Sequence, residues 1–323
     1  MLQNLFSVAF YNVENLFDTE DGKYTLDKDY TPRGKKKWGP YRYQIKLHKI
    51  GNALSKIGGD SCALPPLLIG LAEIENDQVL TDLICSEELK KMPFAYVHFN
   101  SPDERGMDTA LLYRTDYFQV LESKPLPVTL FDKQGKRDFT RDILYVKGLF
   151  HGETMHIYIN HWPSKRSGHE ETKTKRNAVA QILQTSIKSI PEENPNILVM
   201  GDFNDNPTDE SMATLTEPAL FNPMLPLFKG GQGSSKFYGK WMLFDQILIS
   251  KTLLINPKIR YQEANIFNAP FLMNPLGKFK GEPFRTYSGK YYLGGASDHF
   301  PVYLIFETST VKKTTSPLTK NPV

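Results

Sequence analysis

Nine short apolar runs constrain the fold of this chain more than any other feature: "FSVAFYNV", "LLIGLAEI", "FAYVHF", "TALLYR", "DILYVKGLF", "MHIYIN", "NILVMGDF", "FDQILIS" and "FPVYLIFE". Each has the length of a strand, and several are apolar on both faces, the pattern of a sheet that is covered outside as well as packed inside. Helical patterns are fewer. Across residues 41–57, Leu47, Ile50, Leu54 and Ile57 recur at helical spacing. Across 170–190, Ala178, Val179, Ile182, Leu183, Ile187 and Ile190 form one stripe opposite a Lys/Arg face, and a third helix is predicted over 79–91. Many strands with few helices predict an α/β chain with helices layered over sheets. No repeat or linker divides the body, so residues 1–307 read as one domain and the polar, Pro-interrupted residues 308–323 as a disordered tail. The charge-rich stretch 18–42, with "PRGKKKW" inside it, reads as a long solvated surface loop.

The ends of these runs are polar, and on a consistent face. Phe6, Val8 and Phe10 lead to Asn12; Leu67, Ile69 and Leu71 to Glu73; Met155, Ile157 and Ile159 to His161; Leu198 and Met200 to Asp202, with Asn204 one pleat further. "FDQILIS" and "SDHFPVYLIF" do the reverse, placing Asp245 and the pair Asp298–His299 at strand starts. Antiparallel neighbours bring strand ends beside strand starts, so one edge of a sheet sandwich can collect all eight polar residues. Any one of them alone is better explained as a turn or cap; together they predict a site.

Carboxylates and an amide carbonyl are hard oxygen ligands suited to Mg²⁺, and histidines beside them can protonate or bind phosphate oxygens. The histidines lack a zinc-protease spacing, and Cys62 and Cys85 stand isolated, implying no disulfide framework, although a single bridge is left open. There is no phosphate-binding glycine loop of the G-x-x-x-x-G-K-[ST] type and no G-x-S-x-G, which removes the signatures of nucleotide-loop and serine-hydrolase chemistry. The formal charge of +3 is supplied by Lys312, Lys313 and Lys320 after the last acid, Glu307. The body is therefore formally neutral, and affinity for a polyanion must come from a local patch. The longest apolar stretch, "CALPPLLIGLA", is too short and Pro-broken to span a bilayer, so a soluble chain is expected. With no basic leader before the first strand, a cytoplasmic monomer is the default expectation; a leader already removed would leave the same start.

In chain order, "FYNVENLFD", "GLAEIEN", "RGMDTALLYR", "INHWPSKR", "GDFND", "FDQILIS" and "GGASDHFPV" resemble the endonuclease/exonuclease/phosphatase superfamily, the fold of pancreatic deoxyribonuclease, and in particular a bacterial, nuclease-like branch. The resemblance implies a four-layer αββα sandwich, two mixed sheets face to face with helices outside. It implies Glu73 as main Mg²⁺ ligand (Mn²⁺ substituting), supported by Asn12 and Asp298; Asp202 and Asn204 positioning the attacking water; Asp245 orienting His299; and His161 facing the phosphate. Lys165, Arg166, Arg176 and Arg285 are the cations available for phosphate. Ala72 stands where relatives often carry a polar neighbour of the metal ligand, and Glu75 reads as outward and solvated. The reaction implied is Mg²⁺-dependent hydrolysis of a phosphodiester, as in a nuclease, with possible nucleic-acid substrates. The alternative is a phosphatase or phosphodiesterase acting on a small or lipid-derived phosphoester, such as an inositol phosphate or sphingomyelin. A non-catalytic module would be expected to have lost some of Glu73, Asp202, Asn204, Asp298 and His299, and all are present.

Overall fold

A computed structural model describes residues 4–309 apart from Tyr24, Lys133, residues 166–168 and residues 218–219. Twelve strands build its two large sheets: β1 Leu5–Leu16, β2 Leu68–Ile74, β3 Phe94–His98, β4 Asp108–Arg114, β5 Phe118–Leu126, β6 Ile143–Phe150, β7 Glu153–His161, β8 Asn196–Asp202, β9 Leu220–Phe221, β10 Asp245–Ser250, β11 Ile259–Ile266 and β12 Val302–Thr308. The first sheet runs β11-β12-β1-β2-β4-β3 and the second β9-β10-β8-β7-β6-β5. Each is mixed: β1 is parallel to β2 and β7 to β8, while the other neighbours are antiparallel.

Period-two alternation explains the layers. Phe6, Val8 and Phe10 of β1, Ile157 and Ile159 of β7, Leu198 and Met200 of β8, and Val302, Leu304 and Phe306 of β12 meet in the core between the sheets. The alternate residues Ala9, Tyr11 and Val13 pack under the helices α1 (Pro40–Leu54) and α2 (Asp77–Ile84). Tyr158, Val199 and Leu248 pack under α3 (His169–Lys188) and α4 (Glu210–Thr216). The result is helix, sheet, sheet, helix. At Gly70 the sheets approach so closely that a Cβ would lie 2.7 Å from Met200 Sδ, so any side chain there would force Met200 to move.

The second helix is shorter than its sequence pattern, ending at Ile84. The stretch 18–42 does run over the surface, with only Asp27 and Trp38 buried among its described residues, but it is anchored rather than free. Trp38 is fully buried and donates from Nε1 to the Phe17 carbonyl at 3.1 Å, and the Tyr30 and Phe17 rings lie 4.3 Å apart. Glu75 is buried rather than solvated. It accepts the Asp18 N–H at 2.6 Å, and burial pushes its carboxyl up to about 8. Cys62 and Cys85 are free thiols. No helix is long and apolar enough to cross a membrane, among the described residues. The tail from residue 310 lies outside the described residues.

Candidate active site

The parallel pairs bring four strand ends to one edge, and the register aligns them. His161 stands beside Asp202 in the β7–β8 ladder and Asp202 opposite Asp245 in the β8–β10 ladder. All three are at most 5 % exposed. Burial of this kind requires internal partners. Asp202 accepts the Asn12 amide at 3.0 Å on one oxygen and the Asn204 N–H at 2.9 Å on the other. Asn204, in the left-handed region at φ 50°, donates its amide to the Trp162 carbonyl at 3.0 Å. His299 lies three residues before β12 starts and is held instead by a backbone bridge to Ser235. Its Nδ1 is 2.6 Å from Asp245, which also accepts the Ser234 hydroxyl.

Glu73 arrives by a different route from the others. Ile69 and Leu71, whose face it shares by simple alternation, belong to the core under α1, not to the core between the sheets. The ladders of β2 shift register at Glu73, which sits at φ 66°; this bulge turns the carboxylate back toward the cleft. One oxygen accepts the Asn15 N–H at 2.8 Å, and the other lies 3.8 Å from His161 Nε2, which is itself 3.9 Å from Asp202. Glu14 and Asn15 are also left-handed, at φ 51° and 56°. Fully buried Lys46 pins that turn, donating to the Glu14 carbonyl and, at 2.6 Å, to the Thr286 hydroxyl. Its signal in the sequence is a lone lysine on the apolar face of α1, between Tyr43 and Ile50.

Electrostatics separate the groups. Burial, then the neighbouring Asp245, pushes the Asp202 carboxyl up to about 6. Burial works against charge on His299, but Asp245 outweighs it and raises the imidazole well above its usual value. Burial likewise opposes ionisation of Asp298, and His299 and Arg285 overcome it, holding the carboxyl below the usual range.

Two donor sets could hold a cation. Asp202, Asp245 and His299 offer ligand atoms within 4.8 Å of one another. However, Asp245 is fully buried and already bonded to His299 and Ser234, so only Asp202 and His299 of this set face the open cleft. Glu73 and Asp298 line the open cleft and each keeps one oxygen clear of its backbone or Arg285 partner, an all-oxygen donor set that fits a hard divalent ion. Asn12 stands behind them: its carbonyl accepts the Glu14 N–H at 3.0 Å and its amide serves Asp202.

The cleft encloses about 860 Å³, and six cations line it (Lys36, Arg105, Arg141, Lys165, Lys236 and Arg285) against the carboxylates Glu14, Glu73, Asp202 and Asp298. The cleft of this formally neutral body therefore mixes both charges, with cations in slight excess along its lining. Lys165 also pairs with Asp205 at 3.1 Å, and Arg285 with Asp298. Arg176 does not reach the cleft: it is fully buried against Asp205 at 2.7 Å, tying α3 to the loop after β8. Arg166 lies outside the described residues. Sequence reasoning missed Arg141, buried in the cleft wall 3.4 Å from Asp103 and within the fields of Glu73 and Asp202. Its signal was available: like Asp245, it is a charged residue just ahead of an apolar strand, and that strand pairs with the one ending at His161. The stretch 18–42 supplies a further wall through Leu26, Tyr30 and Lys36, the last lying 4.8 Å above the Tyr287 ring.

Solved structures share this architecture. A humanized TDP2 from D. rerio superposes with a TM-score of 0.59 at 16 % identity, covering 94 % of this chain and 99 % of that one. The D. rerio TDP2 complexed with a single-strand DNA product gives 0.56 at 16 % identity over 94 % and 99 %. The mannosyl-6-phosphatase Bt3783 of Bacteroides thetaiotaomicron gives 0.55 at 17 % identity over 93 % and 99 %. At these identities the likeness is one of fold. No curated protein sequence matches the chain. A sequence profile described as the Endonuclease/Exonuclease/phosphatase family matches residues 7–308. With the two mixed sheets and the shared strand-end edge, that match identifies the chain as a member of the endonuclease/exonuclease/phosphatase family.

Proposed function

We propose that this chain is a divalent-cation-dependent phosphoester hydrolase that cleaves phosphodiesters with an activated water, as a nuclease or phosphodiesterase does. The observation that carries the reading is the aligned row His161–Asp202–Asp245, with His299 bonded to Asp245 and Glu73 facing His161 across the cleft. Glu73 and Asp298, with the second lone pair of the Asn12 carbonyl in support, would hold Mg²⁺ or Mn²⁺. Such an ion supplies charge stabilisation to phosphoryl oxygens and to the leaving oxygen. Asp202, fixed by Asn12 and Asn204, accepts a proton from the attacking water. His299, kept in one orientation by Asp245, donates to a phosphoryl oxygen, and His161 binds one from the other side. Arg141 and Lys236, paired with Asp103 and Glu282, line the same cleft and are the further cations that a phosphoryl group would meet there.

A second reading, a phosphatase on a small phosphoester, is favoured by the bounded, cation-lined cleft and by the fold likeness to a mannosyl-6-phosphatase. A hydrolysis panel tests both. Plasmid, single-stranded DNA, RNA and abasic DNA are set beside inositol phosphates, a sugar phosphate, sphingomyelin and an aryl phosphodiester, with and without EDTA. Diester cleavage that stops with EDTA and returns with Mg²⁺ or Mn²⁺ is the expected result. Full turnover after chelation overturns the cation dependence, and hydrolysis confined to monoesters transfers the assignment to the second reading.

A further inference from the structure

One side chain on the cleft rim has no part in the hydrolytic machinery. Ser235–Phe237 and Lys240–Met242 form a two-stranded hairpin in which Phe237 faces Lys240, so the turn is Tyr238–Gly239. Both turn residues are left-handed, at φ 47° and 78°. Two-residue turns of this kind favour Asn or Asp followed by Gly, because a bulky residue in that region is strained. Tyr238 nevertheless occupies the first position, and the residue is 91 % exposed while lining the cleft. A strained, exposed aromatic beside a reaction site is a reason to look for a ligand that it meets.

The base of the hairpin is rooted in the site. Ser235 bridges the His299 backbone, Ser234 bonds Asp245 and accepts the Phe300 N–H at 2.7 Å, and Trp241 stacks on Phe300 at 6.1 Å. At about 3.3 Å per residue, the turn begins about 10 Å along this arm from Ser235. That leaves room for a sugar and base beside the reacting phosphate. Lys236, on the same arm, lines the cleft with the other cations, where it is held by Glu282 at 3.1 Å and by the Trp241 ring.

We propose that Tyr238 is a stacking platform for an unpaired nucleobase next to the scissile phosphate, so that the substrate class is single-stranded nucleic acid or a nucleotide diester. The inference rests on the phosphodiester reading above and narrows it. Stacking on an aromatic ring needs an unpaired base and is tolerant of base identity.

The test is binding, read by fluorescence anisotropy of a fluorescein-labelled oligothymidylate with hydrolysis-resistant phosphorothioate linkages, on the full chain with Mg²⁺. Tyr238→Ala should weaken binding about 5- to 100-fold, Tyr238→Trp should retain it, and a dinucleotide should show the same ranking. Tyr238→Asn should also weaken binding while raising the thermal midpoint, because Asn suits the turn; a purely structural tyrosine would give no loss of affinity. Equal affinity of wild type and Tyr238→Ala overturns the proposal. So does equal binding of the base-free sugar–phosphate oligomer, or tighter binding of duplex. Tyr238-dependent partition to phosphatidylcholine vesicles with unchanged oligonucleotide binding overturns it in favour of a membrane contact. Failure of the hydrolytic reading would appear separately, as wild-type protein inert toward every diester of the panel, while this binding comparison still stands.

Discussion

The two ends of the sandwich are built from the same strands and close in opposite ways. At one end the Phe6 ring lies 4.7 Å from Phe150 and 5.4 Å from Phe306, an apolar cluster beside the buried amide pair Asn256–Asn196 at 3.0 Å. At the other, the same layer between the sheets terminates in Asn12, His161, Asp202 and Asp245, each buried and each requiring directed partners. An apolar end tolerates rearrangement among side chains of similar volume, whereas a buried polar end holds only if every group is satisfied. The contrast shows how one fold separates its stability from its chemistry along a single strand direction.

That separation can be broken experimentally. At the polar end, His299→Ala should lower kcat by about 10²–10⁴ with little change in the urea midpoint. Asp245→Asn should lose much of the same effect, and the double variant should fall little further, because the two act as one unit. Independent, multiplying losses in kinetics on the best diester of the panel would sink the pairing. At the apolar end, Phe306→Ala should reduce unfolding free energy by about 3–5 kcal/mol in urea titrations, with kcat per folded molecule unchanged. A drop in kcat comparable to that of His299→Ala would mean that the two ends are coupled.

The smallest effect lies at the margin of the polar end. His98, its side chain 1 % exposed, has Nε2 3.3 Å from Asp108 and Nδ1 3.0 Å from Asp77. Burial opposes its charge, but Asp108 and then Asp77 outweigh that and raise its pKa above the usual value. A raised histidine adds stability that is fully present below its unfolded pKa and lost as pH rises through the folded value. The thermal midpoint of the wild type should therefore fall from mildly acidic to alkaline pH more than that of His98→Gln. Parallel curves for the two proteins would show that the ion pairs add nothing.

Period-two alternation and residue chemistry, both local, were enough to expect helices over sheets and to put Asn12, His161, Asp202 and Asp245 at the polar ends of apolar faces, while the four-layer order came with the family resemblance. They were not enough for Glu73. Alternation points it toward the helix layer, and only a left-handed bulge, supported by the Asn15 N–H and by the turn that Lys46 pins, reverses it. Arg176 and Arg141 look alike in sequence, yet the fold buries one against Asp205 and sets the other in the cleft wall. The charged stretch 18–42 became a cleft wall because Trp38 and Tyr30 found partners distant in sequence, near Tyr287. Alternation is dictated by each strand's own backbone, so sequence alone determines it. Where a bulge falls, which carboxylate meets which arginine, and which loop closes over a strand edge depend on contacts between residues far apart in the chain, and only the tertiary structure decides them.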